Sequence, residues 1–339
     1  MIPNASLPPV FFNHLYVVLD DKTYRAIQAS DFLRSAFPGA EQRATRTAAG
    51  ETWVGTYFYC QDNYLEFFGE SASKHWQIGA QAGWAGLAFS TDEAGGAPAV
   101  REALRQAFSY EPFFELRQLT TGKTINWFYQ VRIAELLGLG SFESWMMEYH
   151  PDIFAYKGID TGPGGKLTRM AYLSAWNQRA LQGQQTTPPT PPILIEQSGD
   201  ESNPAETKPS TGQGPEGRSK SKLAKRDAPP GVPPTPPVFS RVIGATIHMD
   251  HKRAERYSEI LTMLGYQREK SGPKGALTLS AHGFTLCIEP KESGPEGYRL
   301  SSLRMAMSRL SVAPMTFVFA SGSRLDLRED LTAEWRFGV

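Results

Sequence analysis

The sequence carries no net charge, because Lys+Arg and Asp+Glu each number 35. A general nucleic-acid binder, which needs a basic surface, is therefore not the expected class. Cysteine is nearly absent, with only Cys60 and Cys287 in 339 residues. One disulfide is arithmetically open to them, but two reduced thiols in a cytosolic protein are the better reading. No apolar run approaches the roughly 20 residues of a membrane helix. The first residues, MIPNASLPPVFFNH, have no basic stretch followed by an apolar core, so no signal peptide is expected and the default location is cytoplasmic. The six histidines form no Ser-His-Asp or Cys-His arrangement that can be read from spacing. Residues Thr161–Lys166 (TGPGGK) lack the spacing of a phosphate loop.

The chain does have ample core-forming residues, 40% hydrophobic and 12% aromatic, and a length that accommodates two folded domains. After a tail at residues 1–10, Phe11–Asp20 (FFNHLYVVLD) reads as a strand and Thr23–Phe37 as one helix stopped by Pro38-Gly39. Gln42–Thr47 and Thr52–Gln61 form a hairpin with Gly50 in its turn, and Tyr64–Phe68 follows as a further strand. The order β-α-β-β-β then recurs. Trp84–Thr91 is a strand, Ala97–Phe108 a helix, and Phe113–Leu119, Thr124–Ile133 and Phe142–Tyr149 are strands. Leu167–Leu181 reads as a closing helix. The expectation is an α+β domain over residues 11–182, built of two βαβββ units at about 11–70 and 84–157.

Residues 183–238 hold thirteen of the 25 prolines and no aromatic, a composition that cannot bury enough apolar area to offset ordering entropy. They read as a disordered Pro-rich linker, and the basic run Arg218–Arg226 within it as a solvated segment. A second, smaller α+β domain is expected at 239–339, with a strand at Val242–Met249, a helix at Arg253–Leu264 and several further strands.

Two polar residues stand out inside apolar strands. Side chains alternate along a strand, so His14 shares a face with Tyr16 and Val18, and Glu66 shares one with Tyr64 and Phe68. A polar group in such a setting costs free energy unless it has a partner. If the two strands are neighbours, His14 and Glu66 are each other's partner or share a metal ion; the plainer alternative is a core histidine and a carboxylate at a sheet edge. Glu148, between Met147 and Tyr149, is a second central carboxylate, and His150 follows it two residues on. Trp53, Tyr57 and Tyr59 share one strand face and are candidates, with Tyr16, to line a cleft, although such aromatics are more often plain core.

Repeated βαβββ units with a histidine on a first strand and a glutamate on a last strand resemble the vicinal oxygen chelate superfamily, which includes glyoxalase I, extradiol dioxygenases and bleomycin- or fosfomycin-resistance proteins. FFNHLYVVLD, TWVGTYFYCQDNYLEFFG and WMMEYHPD are similar, more narrowly, to an uncharacterised bacterial family of unknown function related to glyoxalases. The resemblance implies two units whose curved mixed sheet encloses a cleft. It implies a divalent metal (Fe, Mn, Ni or Zn) held by His14 and Glu66 of the first unit and Glu148 of the second, with Glu66 or Glu148 as a proton-transfer group. The fourth ligand position falls near Gly86, which has no side chain to offer, and His150 is the candidate replacement. Residues 239–339 resemble the same fold with Gly244 where His14 sits, so this second domain is expected to lack the site. The functions implied are a metal-dependent lyase, isomerase or dioxygenase acting on a small oxygenated molecule. The alternatives are metal-free binding of a small ligand, or an interaction module using residues 183–339 for a protein partner or a homodimer. No nucleic acid or membrane partner is expected.

Overall fold

The computed structural model describes residues 7–73, 80–137, 142–161, 166–181, 237–269, 275–291, 298–308, 314–320 and 322–338. Residues 1–186 and 236–339 form one compact unit. Of the segment read as a disordered linker, residues 183–236 lie outside the described residues; its last residue, Val238, is buried and donates its amide to the Ala36 carbonyl at 2.8 Å, so the folded second domain starts there.

The first domain opens with β1 (Phe11–Leu19), α1 (Asp21–Gln28), α2 (Asp31–Ala36), β2 (Gly39–Arg46), β3 (Thr52–Tyr59) and β4 (Tyr64–Gly69), followed by a short helix α3 (Glu70–Ser73). Its second unit is β5 (Ala85–Ser90), α4 (Gly96–Phe108), β6 (Phe114–Thr120), β7 (Thr124–Arg132) and β8 (Phe142–Tyr149), followed by α5 (Pro151–Lys157) and α6 (Arg169–Leu181). The single helix expected over 23–37 is two. Ser30 breaks it by accepting the amide of Leu33 through its side chain, so that α2 starts from its own cap. Helix α5 was not foreseen; His150, Pro151 and Asp152 begin it as cap, first helical residue and first-turn acid.

The eight strands form one sheet in the order β2-β3-β4-β1-β5-β8-β7-β6. Strands β1 and β5 run antiparallel at the centre, with β1 parallel to β4 and β5 parallel to β8. A parallel neighbour requires a crossover, which α1–α2 supply in one unit and α4 in the other. The sheet curls until its edge strands meet. Thr47 bridges Leu119, the Ala48 amide donates to the Gln118 carbonyl at 3.0 Å, and Arg117 pairs with Glu51. The α+β class with two βαβββ units in a curved, cleft-enclosing sheet is thus the observed architecture.

The second domain has β9 (Phe239–Met249), α7 (His251–Met263), β10 (Gln267–Glu269), β11 (Leu277–Ala281), β12 (Phe284–Pro290), β13 (Tyr298–Met307), β14 (Met315–Phe319), β15 (Ser323–Leu327) and β16 (Thr332–Arg336). It repeats the first domain's sheet, in the order β10-β11-β12-β9-β13-β16-β15-β14. The connection from β13 to β14 is too short for a crossover helix, and β16 accordingly runs antiparallel to β13 where β8 is parallel to β5. The domain is smaller in chain length but complete in strands.

The two domains pack back to back through the sheet face opposite the cleft. Phe12 stacks on Phe284 at 4.0 Å, Phe142 on Tyr298 at 4.0 Å and Phe32 on Phe317 at 4.1 Å. Phe67 meets Trp335 at 4.9 Å. Polar contacts register the faces: Asn63 donates to the Val242 carbonyl and accepts its amide, both at 2.9 Å, and the Ser144 and Tyr257 hydroxyls meet at 2.8 Å. One apolar core therefore runs through both domains.

A shared core predicts shared unfolding. Phe142→Ala, which empties a site between Tyr298 and Tyr257, is expected to cost about 3–5 kcal/mol and to lower a single denaturation transition seen by probes in both domains. Two separate transitions in the unaltered chain would contradict this packing.

Candidate functional site

The cleft face of the first domain is built by alternation along its central strands. His14, Tyr16 and Val18 of β1 point into it, as do Tyr64, Glu66 and Phe68 of β4 and Trp145, Met147 and Tyr149 of β8. Helix α6 seals one end, where Tyr172 stacks on Tyr149 at 4.4 Å and Arg169 pairs with Asp92 at 2.9 Å. At the other end a cavity of about 340 Å³ remains, walled by Tyr16, Trp53, Tyr64, Trp127, Phe128 and Trp145, with His14 and Glu66 among them. Charged groups also border it, including the Glu51–Arg117 pair where the sheet edges touch.

His14 and Glu66 do meet. Their strands are adjacent, and His14 Nε2 lies 3.8 Å from Glu66 Oε1, too long for a direct hydrogen bond. The imidazole orientation follows from its other side. Asn13 Nδ2 donates to Ser90 Oγ at 2.9 Å, which leaves Asn13 Oδ1 to accept from His14 Nδ1 at 2.8 Å. A β-bulge between Phe12 and His14 accompanies this contact between sequence neighbours. The ring is thus protonated at Nδ1 and presents a bare Nε2 toward Glu66.

Burial shifts both groups toward their neutral forms. Burial, reinforced by the positive charge of Arg43, lowers the His14 pKa to about 3. Burial raises the Glu66 carboxyl to about 7, against opposing pulls from Arg43 and a hydrogen bond from Tyr64. Arg43 is anchored beside them, its guanidinium 4.0 Å over the Tyr57 ring and bonded to the Tyr59 hydroxyl and Glu41, each at 3.0 Å. Two further groups await partners: the indole N–H of Trp127 and that of Trp145 are buried and find none among the described residues.

The remaining expected site residues lie elsewhere. Glu148 points to the opposite face of β8, where its carboxylate accepts the Gly95 and Ala97 amides at 2.8 and 2.9 Å. It caps α4, whose own cap position, Gly95, has no side chain to do so. His150 caps α5 by accepting the Asp152 amide at 3.2 Å. Tyr16 and Trp53 line the cavity as expected. Tyr57 and Tyr59 share its face but sit behind it: the Tyr57 hydroxyl accepts the Trp53 indole N–H at 3.0 Å, and Tyr59 binds Glu41 at 2.6 Å.

The paired units show what became of the other two ligand positions. Across the central strands His14 faces Ala88 and Tyr16 faces Gly86, so the counterpart of His14 is Gly86. Glu66 neighbours Tyr16, and Trp145 neighbours Ala88, so the counterpart of Glu66 is Trp145. A Cβ at Gly86 would stand 2.4 Å from Tyr16 Cε1 and 2.8 Å from Trp145 Cζ3. Rings therefore fill the half of the site where the second pair of donors would stand. No group of three or more His, Cys, Asp or Glu that could hold a metal occurs among the described residues. Two donors facing rings do not fit the divalent centre that the resemblance implies.

Trp127, Phe128, Tyr64 and Trp145 were missed as cavity residues. The signal for Trp145 was in Phe142–Tyr149 (FESWMMEY): strict alternation puts Glu143, Trp145 and Met147 together and Glu148 with Phe142 and Met146.

A sequence profile of a family of unknown function, DUF5829, matches residues 12–184. The chain belongs to this family. The match covers the first domain, with the cavity, its sealing helix and the His14–Glu66 pair, so this member carries a second domain beyond it. No curated protein matches the chain. Solved structures similar to it include a hypothetical protein from Staphylococcus aureus, at 10% identity and a TM-score of 0.47, covering 93% of this chain and 97% of the other. Another is the Mn(II)-bound glyoxalase from Novosphingobium aromaticivorans, at 12% identity and a TM-score of 0.39, covering 94% and 77%. A third is an extradiol ring-cleaving dioxygenase from B.fuscum, at 11% identity and a TM-score of 0.40, covering 99% and 75%.

The two shifted groups predict opposite pH effects on stability. Glu66 binds its proton more tightly folded than unfolded, so its contribution is full below its ordinary value of 4.5 and is lost as pH rises through about 7. His14 contributes fully above 6.5 and loses that contribution as pH falls toward about 3. Glu66→Gln removes only the first effect. Its melting temperature relative to the unaltered chain is expected to rise between pH values of about 4.5 and 7 and then level off. A difference independent of pH would contradict the assignment.

Proposed function

We propose that the first domain binds a small, flat, hydroxyl-bearing molecule in its aromatic cavity without a resident metal. The observation that carries this reading is the buried His14–Glu66 pair, 3.8 Å apart in a wall of rings. A ring-shaped ligand would gain apolar burial and stacking against Trp53, Trp127 and Trp145. Its hydroxyl would donate to the bare Nε2 of His14 or to Glu66 when that group is ionised. Its oxygen would accept the indole N–H of Trp127 or Trp145, neither of which has a partner among the described residues. At about 340 Å³ the cavity suits a compact ligand, since small-molecule sites run upward from about 300 Å³. Of the chemistries implied by the resemblance, proton transfer at Glu66 is the one this donor set supports. Ring cleavage by a metal-held oxygen is not, for want of donors.

Three indoles border the cavity, so occupancy is expected to quench intrinsic fluorescence. The test is titration of the full chain with phenol, salicylate and toluene. Phenol or salicylate should quench saturably, and toluene, which lacks the hydroxyl, should bind at least about tenfold more weakly, the equivalent of roughly 1.4 kcal/mol of lost hydrogen bonding. Trp145→Ala should weaken the hydroxylated ligands to a similar extent. No saturable quenching by either, or equal binding of phenol and toluene, would overturn the proposal.

A further inference from the structure

We propose that the second domain carries a separate binding site for a small anion, a phosphate or carboxylate group, on its open sheet face. The two domains use the same strand order, and each first helix starts from an aspartate cap, Asp20 or Asp250. Counting back from these caps, the position of His14 is taken by Gly244. The position of Glu66, beside Tyr16, is taken by Cys287, beside Thr246. The aromatic walls are gone as well. A register row crosses the sheet as Gln267, Ser280, Thr285, Gly244 and Arg304, with hydrogen-bonding side chains in place of rings; it continues to Glu334 and Asp326, whose carboxylates are engaged by Arg324, Arg328 and Arg336.

The Gln267–Arg304 part of this row floors a cavity of about 570 Å³ that is also bordered by Arg241 and His282, and by no carboxylate among the described residues. Gly244 keeps the floor open: a Cβ there would press to 2.9 Å from the Thr285 carbonyl oxygen. Arg304 is exposed and makes no ion pair among the described residues. Among the described residues Arg241 reaches only one carboxylate oxygen, Asp62 Oδ2, at 4.0 Å. Its guanidinium lies across Gly283, where a Cβ would be 2.5 Å from Nη2 and where φ is +79°. The turn thus admits the arginine only because that residue is glycine. Two guanidinium groups bordering one concave surface, in a chain of zero net charge, make a local positive field, and guanidinium pairs bidentately with phosphate and carboxylate.

The test is titration of the full chain with inorganic phosphate at constant ionic strength, read by ³¹P line broadening and thermal shift, with chloride as control. Saturable phosphate binding is expected, weakened about tenfold or more in Arg304→Ala, the equivalent of losing one charge-assisted contact, and partly kept in Arg304→Lys. Arg304 is exposed, so the variant should fold as the unaltered chain does. Parallel arms with glycerol phosphate and with citrate separate a phosphate ligand from a carboxylate one. Absence of saturable binding by all three anions, or identical binding by the unaltered chain and Arg304→Ala, would overturn the proposal.

Discussion

Glu66 and His14 face each other inside a wall of rings, and the same loss of water shifts each of them toward its neutral form. The rest of the first domain is arranged around that condition. The Asn13–Ser90 contact fixes which imidazole nitrogen carries the proton, and the Tyr57–Tyr59–Glu41 cluster holds Arg43 at the distance from which its charge is felt by both groups. Leaving an ionised carboxylate unpaired in such a place would cost several kcal/mol. The protonated state avoids that cost and keeps a polar contact available to a ligand.

The asymmetry between the two units follows from the same packing. Gly86 and Trp145 are one exchange: the indole and the Tyr16 ring occupy the space a ligating side chain at position 86 would need. The two units are thus unequal at these positions: His14 and Glu66 stand on β1 and β4, where β5 and β8 offer Gly86 and Trp145. The second domain took another route, with neither half of the pair and an exposed polar sheet. Its lost crossover helix reverses strand sense between β13 and β16 without changing strand order. Ring stacking at its back makes it part of the same core.

Much of this was legible in the sequence. The βαβββ repeat and the closing helix follow from local periodicity, because strands with two buried faces and capped helices leave strong patterns; the adjacency of His14 to Glu66 entered only as a condition, since strand pairing is not a local property. Glu148 was misplaced because its position was read from sequence likeness to Glu66 and not from the face it occupies; the two carboxylates lie on opposite sides of the sheet. Its role depends on a helix 51 residues away that cannot cap itself, which local pattern does not reveal. The aromatic half of the pocket was hidden for a related reason. Buried rings look alike in sequence whether they line a cavity or fill a core, and only the curl of the sheet separates Trp127 and Trp145 from Tyr57 and Tyr59.

The most direct test of the central claim, that this pair works without a metal, is metal content. The full chain would be incubated with Fe(II), Mn(II), Ni(II) and Zn(II), desalted and measured by inductively coupled plasma mass spectrometry beside His14→Ala and Glu66→Ala. The account predicts no near-stoichiometric metal in the unaltered chain. One divalent ion per chain, lost in both variants while they remain folded, would contradict it.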